Sequence, residues 1–277
     1  MMIVEQYAID PVHPRRPRVR RGYIPGRSDA LRATAIAAGV GLAFALVATA
    51  SQAATYEPFA GSVSGGEGNS RAVGVGESPF YVVTGGQRLQ YYLDPSLFDG
   101  PLDIAGLAFR LDTNAASLSG RSVPEITISM GHGPSARSRM APAFADNYAD
   151  GPVELFRDTP VLDAGGDGGV PRAYDIAFAF DRDFAYDPTE GALLVEIATY
   201  ANVSGIELDL EHQHTTGALT GKLAIFAAAS PTGATWQMNH YDKMPMMQFR
   251  LAEEDEAAWC RCPRACRSRS RASARTP

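Results

Sequence analysis

Cysteine is nearly missing from this 277-residue chain: there are three, Cys260, Cys262 and Cys266, all in the last eighteen residues. With none before residue 260, no disulfide framework supports a fold there. Three close thiols suggest metal ligands, but a structural zinc site needs a fourth donor and a fold around it, and the tail supplies neither. Lysine is scarcer still, with Lys222 and Lys243 against 23 arginines, a bias that fits a GC-rich genome. Familiar catalytic spacings are missing too. There is no Gly-x-Ser-x-Gly, no His-Glu-x-x-His and no glycine-rich phosphate loop behind a strand, so nothing points to a serine hydrolase, a zincin or a P-loop enzyme. The chain has no internal repeat and no long amphipathic stretch, which argues against solenoids and helical bundles.

Long apolar runs are also rare, and the one that exists is informative. Ala33 to Ala53 reads ATAIAAGVGLAFALVATASQA, entered from Arg15, Arg16, Arg18, Arg20, Arg21, Arg27 and Arg32 and closed by Ser51-Gln52-Ala53. A basic lead, a short apolar core and a small-x-small exit describe a secretory signal peptide, which sets residues 1–53 apart and starts the working protein near Ala54. A retained membrane anchor is the other reading, but the run is rich in Ala and Gly and lacks the Leu, Ile and Val of a good span. No Cys follows the apolar core, so lipid attachment at a mature N-terminal Cys is excluded, and Arg20-Arg21 is only a faint twin-arginine match. Gly26 onward already makes a complete signal, so residues 1–25 form an N-terminal extension.

Between Ala54 and Trp259 there are 12 basic and 28 acidic residues, a net charge near −16. Such a body repels nucleic acid and anionic lipid. It suits a solvated extracellular protein. About 200 residues are enough for one domain with a sizeable core.

That body has the pattern of strands. Candidates are Phe80–Val83, Arg88–Leu93, Ile104–Leu111, Glu125–Met130, Val153–Phe156, Ala173–Phe180, Leu193–Thr199, Ile206–Glu211, Lys222–Phe226 and Met246–Leu251. In Tyr174 to Phe180 the large apolar residues fall on every second position, the period of a half-buried strand. Turn formers separate the runs: Asp94-Pro95, Asp99-Gly100-Pro101, Gly131-His132-Gly133-Pro134, Gly165 to Gly169 and Asp187 to Gly191. The expectation is an all-β fold, an antiparallel, jelly-roll-like β-sandwich over residues 79–252. A Gly/Ser-rich lead-in (54–78) precedes it, and a disordered basic tail (253–277) follows.

Gln90-Tyr91-Tyr92-Leu93-Asp94-Pro95-Ser96-Leu97-Phe98, followed by Pro101-Leu102-Asp103-Ile104-Ala105-Gly106-Leu107-Ala108-Phe109-Arg110, resembles the opening motif of secreted bacterial PEP-CTERM proteins. Ile126-Thr127-Ile128-Ser129-Met130 is similar to their middle strand, Phe144-Ala145-Asp146-Asn147 to the segment after it, and Phe184 through Ile197 to a late strand. The resemblance covers roughly residues 80–250. It implies a β-sandwich exported by a Gram-negative bacterium to its surface or matrix, in company with exopolysaccharide and biofilm, and it brings no catalytic residues. Its further partners are signal peptidase and, through a C-terminal sorting signal, an exosortase. That signal (Pro-Glu-Pro, an apolar span, an Arg cluster) is not written here. With GC-rich codons, Pro263-Arg264-Ala265-Cys266 read one base later becomes Pro-Glu-Pro-Ala, so a frameshifted sorting signal is expected; a basic disordered tail is the plainer alternative.

Several side chains are candidates for chemistry, each with a plainer explanation. His212 and His214 are two apart at the end of a strand and share a face; with His240 they could begin a transition-metal site, or simply sit on a solvated face. Asp181, Asp183, Asp187 and Glu190 surround one turn, and Asp163 and Asp167 another. Carboxylates on flexible loops suit calcium, though turn formation explains the same residues and the EF-hand spacing is absent. Tyr91, Tyr92, Tyr148, Tyr200, Trp236 and Tyr241 could supply a sugar-stacking face, with Trp236 and Tyr241 the ligand-binding candidates; strand aromatics more often fill a core. Asp209 and Glu211 could imitate a glycosidase pair. The expectation is a non-catalytic exported protein without a required cofactor, the alternative being a carbohydrate-binding or carbohydrate-active one.

Overall fold

The computed structural model describes residues 54–59, 70–72, 76–81, 85–212 and 218–253, His212 in its backbone alone. The signal segment 1–53, His214, the tail from 254 onward and its three cysteines lie outside them. Within the described residues there are fifteen strands: β1 (Thr55–Tyr56), β2 (Ser70–Ala72), β3 (Gln87–Leu93), β4 (Leu102–Phe109), β5 (Leu118–Ser122), β6 (Ile126–Gly133), β7 (Val153–Asp158) and β8 (Val161–Ala164). Then come β9 (Ile176–Tyr186), β10 (Ala192–Thr199), β11 (Leu208–His212), β12 (Leu223–Ala228), β13 (Met238–Tyr241), β14 (Lys243–Pro245) and β15 (Met247–Leu251). The helical elements among them are single 3-10 turns. The protein is all-β.

Alternation dictates the layers. On β3, Leu89, Tyr91 and Leu93 face the main core; on β10, Leu193, Val195 and Ile197 do the same, as do Ile126, Ile128 and Met130 of β6 and Leu223, Ile225 and Ala227 of β12. These strands lie in one antiparallel sheet, ordered β13-β12-β3-β10-β6-β7. Opposite stand a four-stranded sheet (β1-β15-β4-β9) and a three-stranded one (β14-β11-β2). They send Leu107, Phe109, Phe178, Phe249, Leu208 and Leu210 into the same core. The chain passes between the layers from β3 to β4 and from β9 to β10, so the architecture is a β-sandwich. A small β5-β8 sheet flanks it.

Aromatic side chains are the largest in the filling. Phe80 packs on Phe109 and Phe178, and Phe98 lies between Tyr56 and Tyr186. Each such burial contributes about 1.5–3 kcal/mol.

The six-stranded sheet has a second buried face. Tyr92, Leu194, Ala224, Phe226 and Ala228 point away from the main core and are buried nonetheless, with Phe144 and Tyr148 among them. A strap, residues 134–151, lies over this face. Phe144 N–H donates to Ala234 O and Trp236 N–H to Pro142 O, both at 3.0 Å, and Ala149 N–H donates to His132 O at 3.0 Å. Tyr148 lies so close over Gly131 that a Cβ there would come within 2.5 Å of its ring.

Several elements depart from the expected strands. Phe80 is buried but belongs to a turn, with 82–84 outside the described residues. β9 begins at Ile176 and runs on through Asp181, Arg182 and Asp183 to Tyr186. Parts of the Gly/Ser-rich lead-in also form strands: β1 pairs with β15, and β2 with β11.

Candidate functional site

The chemistry of this molecule gathers on the outer face of the six-stranded sheet, beneath the strap and beside it. β10 reads Ala-Leu-Leu-Val-Glu-Ile-Ala-Thr and is buried throughout, Glu196 included. A carboxylate there is tolerable only if its oxygens are satisfied. Arg88 on the adjacent β3 grips both of them, at 2.8 and 2.9 Å, and the Tyr148 hydroxyl donates to Oε2 at 3.1 Å. Burial, and after it the Glu196 charge, pushes the Tyr148 hydroxyl well above the usual tyrosine pKa of 10.0. Next along β3, Gln90 donates to Phe144 O at 3.3 Å and accepts from Asn147 Nδ2 at 2.8 Å. Asn147 Oδ1 in turn accepts the Ala141 amide at 2.6 Å. The guanidinium of Arg88 also lies over the Phe144 ring, 4.7 Å from its centre. Gln90, Glu196, Asn147, Arg88 and Tyr148 form one buried network that fastens the strap to the sheet.

At the edge of the same face the network gives way to exposed rings. Phe226 of β12 is buried and contacts two neighbours: Trp236, with centroids 5.5 Å apart, and Tyr241, 6.2 Å apart and edge-on. Trp236 is half-buried and donates its indole N–H to Ala141 O at 2.9 Å. Tyr241 is 48% exposed. Arg137 covers its ring at 4.5 Å, and that guanidinium is itself held by Leu223 O at 2.9 Å and Asp242 Oδ1 at 2.6 Å. Asp242 Oδ1 also accepts the Gly221 amide at 2.7 Å. Asn239 Nδ2 donates to the Tyr241 hydroxyl at 3.3 Å.

Of the six aromatics proposed for sugar stacking, the structure therefore brings two together at an accessible surface, Trp236 and Tyr241. Tyr91 lies in the main core, and Tyr92 and Tyr148 lie in the second cluster, all buried. Tyr200 stands apart, its amide bonded to Glu125 O at the end of β10.

The acidic candidates are dispersed. Asp187 Oδ1 accepts the Thr189 amide (2.8 Å) and hydroxyl (2.7 Å), contacts that hold its carboxyl below the usual aspartate range. Glu190 turns toward His132 Nδ1 at 3.5 Å. Asp187 and Glu190 line a cavity of about 330 Å³ with Asp103 and Tyr186, whereas Asp183 lines another, of about 270 Å³, with Arg250 and Glu253. Asp181 is exposed on β9, and Asp163 caps the Gly120 amide at 2.7 Å. Among the described residues, no three His, Cys, Asp or Glu side chains are placed to hold a metal ion. His212 ends β11 opposite Lys243. Asp209 and Glu211 share a face of β11 and are both buried, Asp209 in an ion pair with Arg110 at 2.6 Å.

One feature of this surface was out of reach of residue patterns and another was not. Arg137 and Asp242 meet across 105 positions, and no local spacing announces such a pair. Glu196 did carry a signal: a lone carboxylate within a strand otherwise apolar but for Thr199 needs a buried partner. A scan against protein-family models finds no match to this chain, and a search of curated proteins finds none either.

Proposed function

We propose that this chain is a non-catalytic exported protein of a bacterial surface or extracellular matrix, similar in kind to PEP-CTERM proteins and associated with exopolysaccharide. The observation that carries this reading is where the polar side chains of its motifs go. Gln90, which opens one of them, and Asn147, which closes another, bond to each other at 2.8 Å and anchor a strap. Glu196, in a third, is enclosed by Arg88 and Tyr148. Groups so engaged maintain shape rather than turn over a substrate. The net charge near −16 of residues 54–259 supports a solvated, extracellular setting and disfavours nucleic acid and anionic membrane as partners.

The test is fractionation of the producing bacterium followed by N-terminal sequencing. A chain starting near Ala54 in the surface or matrix fraction, released into the medium when exopolysaccharide synthesis is deleted, is the expected result. A chain kept in the cytoplasm with residues 1–53 attached would overturn the proposal. A second reading, direct carbohydrate binding, is favoured by the accessible rings of Trp236 and Tyr241.

A further inference from the structure

Exposed aromatic rings on a strand edge are usually mobile, and the ordering of a mobile ring opposes binding. Tyr241 is not of that kind. One face of its ring lies under Arg137, and that guanidinium is fixed by Leu223 O and Asp242. Phe226 abuts the ring edge-on and Asn239 holds its hydroxyl. The side chain is 48% exposed and yet held from several directions. Among the described residues the other large apolar side chains this exposed are Val161 and Val170, both aliphatic. Through Phe226 the row continues to the half-buried indole of Trp236, whose N–H is anchored on Ala141 O. The surface is thus a fixed aromatic strip with an amide and a hydroxyl along its rim.

We infer that the strip of Tyr241 and Trp236 docks a neutral pyranose glycan. This rests on the exopolysaccharide reading above and gives it a site. A pyranose ring offers an apolar C–H face to an aromatic ring and hydroxyls to the groups at its rim, as a surface with an apolar body and polar edge requires. Charge selects among polysaccharides. With a net charge near −16 between Ala54 and Trp259, the protein repels polyuronates and other polyanions, so the favoured ligand carries no charge. The rigidity of Tyr241 lowers the entropic cost of docking, which matters most for weak, repeated contacts along a polymer.

The experiment is affinity electrophoresis of the full chain through gels containing dextran, soluble β-glucan, galactomannan or alginate. Retardation by at least one neutral gel and not by alginate is expected. Tyr241→Ala should weaken that retardation about tenfold or more, as for a central aromatic anchor. Tyr241→Phe, which keeps the ring and its packing, should retain most of it, and Val170→Ala all of it. Equal melting curves for the variants separate lost binding from lost folding. Three results overturn the inference: no retardation by any neutral glycan, retardation that Tyr241→Ala leaves intact, or stronger retardation by alginate. A protein found in the matrix whose Tyr241→Ala variant localises and migrates unchanged would sink this site and leave the broader proposal standing. Binding to neutral glycan by a protein that stays in the cytoplasm would do the reverse.

Discussion

Replacing Asn147 by Ala removes the fastening of the strap at its centre. The side chain is 3% exposed and makes three hydrogen bonds, to Gln90 Oε1 at 2.8 Å and to the amide and carbonyl of Ala141 at 2.6 and 3.2 Å. Gln90 is fully buried, so its Oε1 is left with no partner in a dry interior. The Ala141 backbone is partly exposed and can turn to water. A lost net hydrogen bond costs about 1 kcal/mol and a stranded buried acceptor about 1–3 kcal/mol, so Asn147→Ala should cost about 2–4 kcal/mol. For a domain of this size that is a fall in Tm of about 5–15 °C. The decisive comparison is a double-mutant cycle with Gln90→Met, followed by chemical denaturation. Gln90→Met alone takes from Asn147 Nδ2 the nearer of its two acceptors and leaves it only Ala141 O, whereas the double variant strands neither member of the pair, so the losses should fall short of additive by about 1–3 kcal/mol. The emission of Trp236 in a Trp259→Phe background gives a local readout, because strap release breaks its bond to Ala141 O. Losses that add to within about 0.5 kcal/mol would refute the idea that this pair fastens the strap.

Three further outcomes follow from the same surfaces. Tyr91 is fully buried in the main core and its hydroxyl has no hydrogen-bond partner among the described residues, so Tyr91→Phe should stabilise the protein by about 1 kcal/mol, read as a higher denaturation midpoint at unchanged slope; a lower midpoint would contradict it. Gly131→Ala should cost about 1–3 kcal/mol, because its Cβ would sit 2.5 Å from the Tyr148 ring and lift the strap; a neutral effect would mean that Tyr148 is not seated on the sheet. Burial raises the hydroxyls of Tyr91, Tyr92, Tyr148, Tyr174 and Tyr186 above the usual 10.0. Their folded values are raised, so the stability they confer is whole below the ordinary tyrosine range and is lost as pH climbs beyond it, where the unfolded chain alone releases protons. In an alkaline titration their phenolate absorbance should therefore appear together with the loss of β-sheet circular dichroism, and full ionisation of a still-folded protein would show the reasoning to be wrong.

How much of this was legible in the chain depends on which face of a strand is considered. The alternation at Tyr174 to Phe180 and at Ile126 to Met130 marks one buried face, and both segments supply strands of the sandwich. The second buried face was hidden because what covers it is an irregular strap with no period to detect. β9 outruns its apolar pattern for a related reason: within the register shift, between the partners Ala179 of Gly106 and Phe184 of Ile104, its Asp181, Arg182 and Asp183 are exposed, so no apolar residue is required there. β5, Leu-Ser-Gly-Arg-Ser, has almost no apolar content and pairs at the flank, held by its backbone. Phe80 failed as a strand because a single deeply buried ring can anchor a turn as readily as a sheet.

The candidate site divides along the same line, and the division bears on what the motif resemblance can mean. Asp94 caps the amide of Ser96 at 3.0 Å and so forms a 3-10 turn at Pro95–Leu97. Gln90 meets Asn147, and Phe144 lies beneath Arg88. Tyr186 stacks on His132 and bonds Gly191 O at 3.0 Å, closing the turn into β10. The Gln90–Asn147, Arg88–Phe144 and Tyr186–His132 contacts join segments distant in sequence, while those of Asp94 and Gly191 close local turns; all hold the sandwich or its strap in place, so a chain that shares such motifs shares a way of folding. Tyr241, Arg137 and Asp242 stand outside every one of these motifs. A surface feature outside the contacts that build the scaffold can be altered at less cost to the fold than those contacts. Tyr241→Phe, which keeps the ring under Arg137 and against Phe226, should therefore leave the melting curve close to where it was, whereas exchanging Gln90 or Asn147 should lower the melting temperature.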